Sequence, residues 1–220
     1  MLGGGQGDFI RPGEVSLAHN GVFCVQDFNE CPKSILEGLR GAMEDGKVTI
    51  SRLRSKVDIP AKSLPVFTTL PCPCGYYGDG DRCTCTPGVR KTFLARMSGP
   101  VMDMITVQVF VEKPNEDAPQ GESAASVADR VAKARKIQME RQGKLNDALR
   151  SSEIDKYAKL GGNSLDMLEK IIERINLSAK AYSRIIKMAR TIADLEECEA
   201  ILPQHIAEAA AYRFLDRMED

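Results

Sequence analysis

Tryptophan is absent from this chain, and aromatic residues make up only 5% of its 220 positions. A core with so few rings must be filled by aliphatic side chains, which favours helix-rich packing. No apolar run approaches the ~20 residues that a membrane-spanning helix needs, so no membrane partner is expected. The opening residues, MLGGGQGDFIRPG, have no basic stretch leading into an apolar one. They do not read as a secretory signal, and the expected location is cytoplasmic. An excess of charge is lacking too: the formal net charge is −1, which gives no bulk attraction to nucleic acid. Any contact with DNA must come from a local basic patch.

The phosphate-binding pattern G-x-x-x-x-G-K-[ST] is also missing. Lysine follows glycine at Gly46-Lys47 and Gly143-Lys144, but Val48 and Leu145 come next, and Gly3-Gly4-Gly5 has no lysine. Without that loop's backbone donors and its lysine, ATP phosphates have no cradle. The two histidines, His19 and His205, have no partner legible in the sequence and are read as structural.

Cysteine, by contrast, is well represented. There are seven, an odd number, and four fall in one short loop: Cys72, Cys74, Cys83 and Cys85. In a cytoplasmic protein such clustering favours metal over disulfides. Four thiolates arranged this way suit one tetrahedral Zn²⁺, the expected cofactor. The C-x-C spacing is less specific than C-x-x-C, and local turns must bring its two side chains together. Reduced buried thiols or a redox-labile loop are the alternatives. Cys24, Cys31 and Cys198 lie outside the cluster and read as core or surface thiols.

The stretch 113–123 (KPNEDAPQGES) is rich in proline, glycine and acids, lacks apolar periodicity, and reads as a linker. Residues 1–112 before it mix strands, helix and turns, and residues 124–220 after it read as helical. A strand is expected at 22–25 and an amphipathic helix at 32–44, with Ile35, Leu36, Leu39 and Met43 on one face. A hairpin strand follows at 47–52, a strand at 64–70, a helix at 88–97 and an alternating third strand at 105–111. Beyond the linker, Ser123 caps a helix that runs to Gln142, with Gly143 just past its end. Further helices are expected at 152–160, 164–175 and 178–195, and Pro203 sits in the first turn of a last one.

Val22, Phe23, Cys24 and Val25 form a short apolar run, which fits a strand buried on both faces of a parallel sheet. Acids at the carboxyl end of such a strand lie where open α/β sheets bind ligands. Here that end reads Gln26-Asp27. Gln26 is neutral and a poor ligand for Mg²⁺. Asp27 retains a carboxylate that can act as a base. A structural strand with a polar end is the plainer reading.

The segments LAHNGV (17–22), CPCGYYGD (72–79), SGP (98–100) and ARTIADLE (189–196) resemble the magnesium-chelatase-like AAA+ ATPases, in their ComM/YifB competence branch. The likeness runs from Gly3 to Arg217. It implies an α/β partial P-loop AAA+ core followed by an all-α helical C-terminal (lid) domain, beginning after the phosphate loop. In that family two acids follow the strand, matched here by Gln26 and Asp27. The water-orienting sensor is matched by Leu70, the arginine finger by Met104, and the lid sensor arginine by Lys180, while Arg96 is kept. An arginine finger is worth roughly 10³–10⁵-fold in rate where one is used, and methionine has no charge to offer.

The resemblance therefore implies ATP and Mg²⁺ for the family and little activity for this chain alone. Its catalytic remnants are Asp27, Arg96 and Lys180. It also implies DNA contact, through a hairpin carrying Arg52, Arg54 and Lys56, and ring partners, whether copies of this chain or other AAA+ subunits. The basic helix after the linker reads as a DNA-facing surface or as a solvated face balanced by Asp129 and Glu140. The expected function is part of a ComM-type motor for DNA branch migration in transformation and recombination, catalytically degenerate. A zinc-stabilised protein-interaction module with no nucleotide role is the alternative.

Overall fold

Backbone pairing in the first half of the chain combines two local hairpins with one longer-range parallel pair. In the computed structural model, which describes residues 1–6, 9–51, 56–97, 99–112, 119–175 and 179–213, each described sheet has two strands. The chain divides into two compact units, Met1–Ile105 and Thr106–Asp220. In the first, β1 (Gly3–Gln6) and β2 (Phe9–Pro12) form an antiparallel hairpin that leads into the short helix α1 (Glu14–Leu17). Strand β3 (Val22–Val25) is followed by helix α2 (Lys33–Asp45) and by β4 (Lys47–Ser51), which pairs antiparallel with β5 (Lys56–Pro60). Strand β6 (Leu64–Phe67) returns beside β3, parallel to it, with Val22 opposite Leu64 and Val25 opposite Phe67. The expected structural role of His19 holds: its Nδ1 accepts the Lys62 N–H at 3.1 Å.

Helix α2 buries Leu36, Leu39 and Ala42, with Ile35 and Met43 half-buried beside them. The expected burial of β3 on both faces is not what the structure has. Phe23 and Val25 are buried, but Val22 is 60% exposed and Cys24 is exposed. Opposite them in register, Leu64 is 62% and Val66 39% exposed. A run of four apolar residues signals burial on both faces only when elements cover both. Among the described residues β3 has one neighbouring strand, and one face stays open.

Helices α3 (Pro87–Leu94) and α4 (Gly99–Met102) close the first unit. The strand expected at 105–111 does not form. The structure has only an isolated bridge there, Gln108 with Arg213, and the Gln108 N–H donates to the Tyr212 carbonyl at 2.7 Å. Val107, Val109 and Val111 are left exposed. Alternation makes a strand only where a ladder partner lies alongside, and here the pairing partner is the chain after a helix.

Among its described residues the second unit is helical, with turns and isolated bridges between the helices. Ser123 Oγ accepts the Ser126 N–H at 3.2 Å and starts α5 (Ala124–Gln142). Gly143, at φ +72°, ends it in the left-handed conformation that glycine adopts without strain. Next come α6 (Ser151–Tyr157), α7 (Gly162–Ile175), α8 (Ala179–Leu195) and α9 (Pro203–Ala211). Their core is aliphatic, as the missing rings required: Ile154, Leu168, Ile185, Ile186, Ile192, Ile201 and Ile206 pack with Ala158, Ala189 and Ala209. Among the described residues no helix is long and apolar enough to cross a membrane.

Candidate metal centre and strand-end site

The four clustered cysteines converge. Cys72 is buried, and Cys74, Cys83 and Cys85 are half-buried. Their sulfurs all lie within 4.8 Å of one another, a group that can hold a metal ion. The Sγ–Sγ distances are 3.3 Å for Cys72–Cys74, 3.7 Å for Cys74–Cys83 and 3.8 Å for Cys72–Cys83. In extended chain the two side chains of a C-x-C pair share a face but stand roughly 6.5 Å apart, so a turn is required to bring the sulfurs together. That turn is present: the Gly75 N–H donates to the Cys72 carbonyl at 3.0 Å, with Gly75 at φ +79°. The rest of the loop is braced by cations over rings. Arg82 lies 4.1 Å from the centre of the Tyr76 ring and pairs with Asp79. Arg90 lies 4.4 Å from Tyr77 and donates to the Cys85 carbonyl at 2.6 Å.

These surroundings separate the thiols electrostatically. The backbone of Tyr76, then the Cys72 thiol, hold the Cys74 thiol down at about 6. Cys85 moves the other way. Its backbone contact with Cys74 lowers it, but the Cys74 thiol, burial and Cys72 together push it up to about 11. Cys83 is raised as well, the backbone contact with Cys85 being outweighed by burial and the Cys74 and Cys72 thiols.

The second candidate site lies where β3 and β6 end. The ladder continues one step past them, the Thr68 N–H donating to the Val25 carbonyl at 3.0 Å and the Phe28 N–H to the Thr68 carbonyl at 2.9 Å. Phe28 is buried and stacks on Phe67, ring centres 4.0 Å apart. Between them the chain turns at Asp27, which adopts φ +49° and ψ +46°. Gln26 and Asp27 are exposed, and Gln26 helps line an open cleft of about 540 Å³ together with Met1, Leu17, Val22 and Cys24.

Three residues that sequence reasoning passed over complete this end of the sheet. Thr69 Oγ1 donates to the buried Asn29 at 2.6 Å, and Asn29 Nδ2 donates to Glu30 at 3.3 Å. Arg96 reaches both oxygens of Glu30 at 3.4 Å. Arg96 is thus brought to the strand-end loop, through Glu30 rather than Asp27. The acid three residues after Asp27 was the available signal. Leu70 is exposed beside Thr69, while Met104 is half-buried after α4. Lys56 is exposed at the start of β5. Arg52 and Arg54 lie outside the described residues, as does the side chain of Lys180.

Comparison with known proteins adds the following. The family model for magnesium chelatase, subunit ChlI, matches residues 1–118, and the model for the C-terminal part of that subunit matches residues 121–213. The chain is 38% identical to the uncharacterized protein YifB of Escherichia coli over 223 residues, covering 99% of this chain and 44% of YifB. It is 38% identical to the competence protein ComM of Haemophilus influenzae over 219 residues, covering 97% of this chain and 43% of ComM. The chain spans less than half the length of these relatives.

Proposed function

The chain belongs to the magnesium chelatase family, and on that premise we propose that it is part of a ComM-type AAA+ ATPase, degenerate in its own catalytic positions. The observation that carries this reading is the match of both family models together with 38% identity to a competence protein over nearly the whole chain. Residues 1–112 are the later portion of the ATPase core, 113–123 the linker and 124–220 the helical lid. The motor to which it contributes drives branch migration of recombining DNA, as a ring of like subunits in the cytoplasm.

Degeneracy follows from the side chains that occupy the nucleotide-facing positions. Gln26 offers Mg²⁺ a neutral amide where a carboxylate is needed. Leu70 has no group to orient water, and Met104 no charge to stabilise a transferring phosphoryl. Asp27, Arg96 and Lys180 are the remaining polar groups, and Arg96 is engaged with Glu30. The open apolar face of β3 and β6 fits a core that is completed by chain outside these residues. Arg52, Arg54 and Lys56 are the proposed DNA phosphate contacts.

Zn²⁺ is the proposed ion of the four-cysteine cluster. Bonds of about 2.3 Å at tetrahedral angles place sulfurs about 3.8 Å apart, close to the 3.7 and 3.8 Å that separate Cys83 from Cys74 and Cys72. Its role there is to hold the loop together. An interaction module with no nucleotide role is not favoured, because the family likeness spans both units.

The test is ATP binding and hydrolysis by the purified chain, with and without DNA, with zinc content measured on the same sample. No binding and no turnover, with one zinc per chain, is the expected result. Turnover above a contaminant-free control overturns the degenerate assignment. Zinc-free protein that keeps its fold overturns the assigned metal.

A further inference from the structure

We propose that Glu196, Cys198 and His205 form a second metal site, in the helical unit, for a borderline divalent transition ion of the Zn²⁺ or Co²⁺ type. One carboxylate oxygen, one sulfur and one imidazole nitrogen lie within 4.8 Å of one another. That mixture of O, S and N suits borderline ions, whereas Mg²⁺ and Ca²⁺ take oxygen ligands. This inference is independent of the proposed motor function.

The three donors are delivered by backbone that other contacts hold in place. After α8 the chain reverses through Glu197 at φ +55°, and the Cys198 N–H returns to the Ala193 carbonyl at 2.8 Å. The buried Arg190 grips the far side of this turn, donating to the Cys198 carbonyl at 2.5 Å and the Glu199 carbonyl at 2.6 Å. His205 comes from the first turn of α9, and its side chain is fully buried. Its Nδ1 accepts the Leu202 N–H at 3.1 Å, which fixes the ring and aims Nε2 at the Glu196 carboxylate, 2.9 Å away. The ring is thereby oriented with Nε2 outward; a histidine ligand also needs its other nitrogen protonated, so loading requires Nδ1 to take the ring proton.

Zn²⁺ bonds of about 2.0–2.3 Å at tetrahedral angles space the donors by roughly 3.3–3.8 Å. Small movements reach this geometry: Nε2 and the carboxylate part slightly, and the sulfur closes in. Glu196 is exposed and Cys198 half-buried, so both have room to move and a water can take the fourth position. On loading, the Cys198 thiol gives its proton to solvent and the thiolate binds the ion. The Nε2 proton moves to Nδ1, and the Leu202 N–H gives up that acceptor. One proton is released per ion.

The test is a Co²⁺ titration of the metal-free whole chain, read by absorption and by proton release. The expected result is a Co²⁺ equivalent with single-thiolate charge-transfer absorption, distinct from the four-thiolate spectrum of the Cys72 cluster. Cys198→Ser abolishes that equivalent and leaves the four-thiolate one intact. Glu196→Gln weakens it by at least the roughly 10-fold that even a supporting carboxylate is worth. Both substitutions fall on accessible side chains, and circular dichroism checks that the helices are retained. If the Cys72 cluster takes no cobalt, a lone one-thiolate equivalent that vanishes in C198S still supports the site. No such equivalent, or one that survives both substitutions, overturns it.

Discussion

Arg141 grips Asp194 with both terminal nitrogens, Nη1 to Oδ1 at 2.5 Å and Nη2 to Oδ2 at 2.9 Å, tying the end of α5 to the last turn of α8. The Asp194 side chain is 0% exposed. It also accepts from Arg190 Nε at 3.0 Å and from Asn146 Nδ2 at 2.8 Å. Two guanidinium groups and an amide therefore share one buried carboxylate. Removing that carboxylate strands the buried Arg190, and Asp194→Ala is expected to cost about 3–5 kcal/mol. Arg141→Lys keeps the charge but loses the fork, and should cost less. Urea denaturation followed by circular dichroism separates the two. Equal losses contradict the bidentate account.

The cysteine loop makes a prediction about order of reaction. Cys74 sits at about 6 and Cys85 at about 11. In the metal-free chain at neutral pH, Cys74 is the thiolate, and the thiolate is the nucleophile. Iodoacetamide is expected to label Cys74 first and Cys85 last, as read by peptide mass spectrometry. Labelling of Cys74 slows as pH falls through about 6. Zn²⁺ should protect all four cysteines together. Uniform labelling across the loop runs against this assignment.

The ion pair of Lys144 with Glu153 sets an acid limit for the helical unit. Lys144 Nζ lies 2.6 and 2.7 Å from the two Glu153 oxygens. Lys144 first, then the Arg150 backbone, hold the Glu153 carboxyl below its ordinary value of 4.5. A depressed carboxyl contributes stability that is fully present above the ordinary value and is lost as pH falls through the lowered one. Wild type is therefore expected to melt above Glu153→Gln at pH 7, with the gap closing below about pH 4.5. A gap that persists at pH 3 assigns the effect to packing instead.

The open face of β3 and β6 predicts self-association. Val22 and Leu64 are exposed side by side. Val22→Thr with Leu64→Lys changes only this face, and a surface change of that kind alters stability by about 0.5 kcal/mol or less. Concentration-dependent association in sedimentation should fall in the double variant. No change means the face is already covered in solution.

Much of the helical unit could be read before folding, because its signals are local. Ser123, Gly143 and Pro203 marked helix ends by side-chain capping, positive φ and a missing N–H, none of which depends on distant residues. The cysteine cluster was legible for a similar reason: its spacing sits within one loop. What escaped was non-local. Nothing in VFCV states whether a second face will be covered, and nothing in ITVQVFV states whether a ladder partner will arrive. The Asn29–Thr69 hydrogen bond spans forty positions, and the Asn146–Asp194 bond forty-eight. Polar groups that far apart leave no periodicity to find.

Asp27 sits in the left-handed region, at φ +49°. Aspartate and asparagine are among the few residues other than glycine that tolerate this conformation, because their short polar side chains bond locally. Glutamate, one methylene longer, adopts it less often, though Glu197 does so here at φ +55°. A library randomised at position 27 and selected only for folding should therefore return Gly, Asn and Asp ahead of Glu. A glutamate placed there meets this backbone preference as well as the change of side chain, at the turn from Gln26 to Phe28.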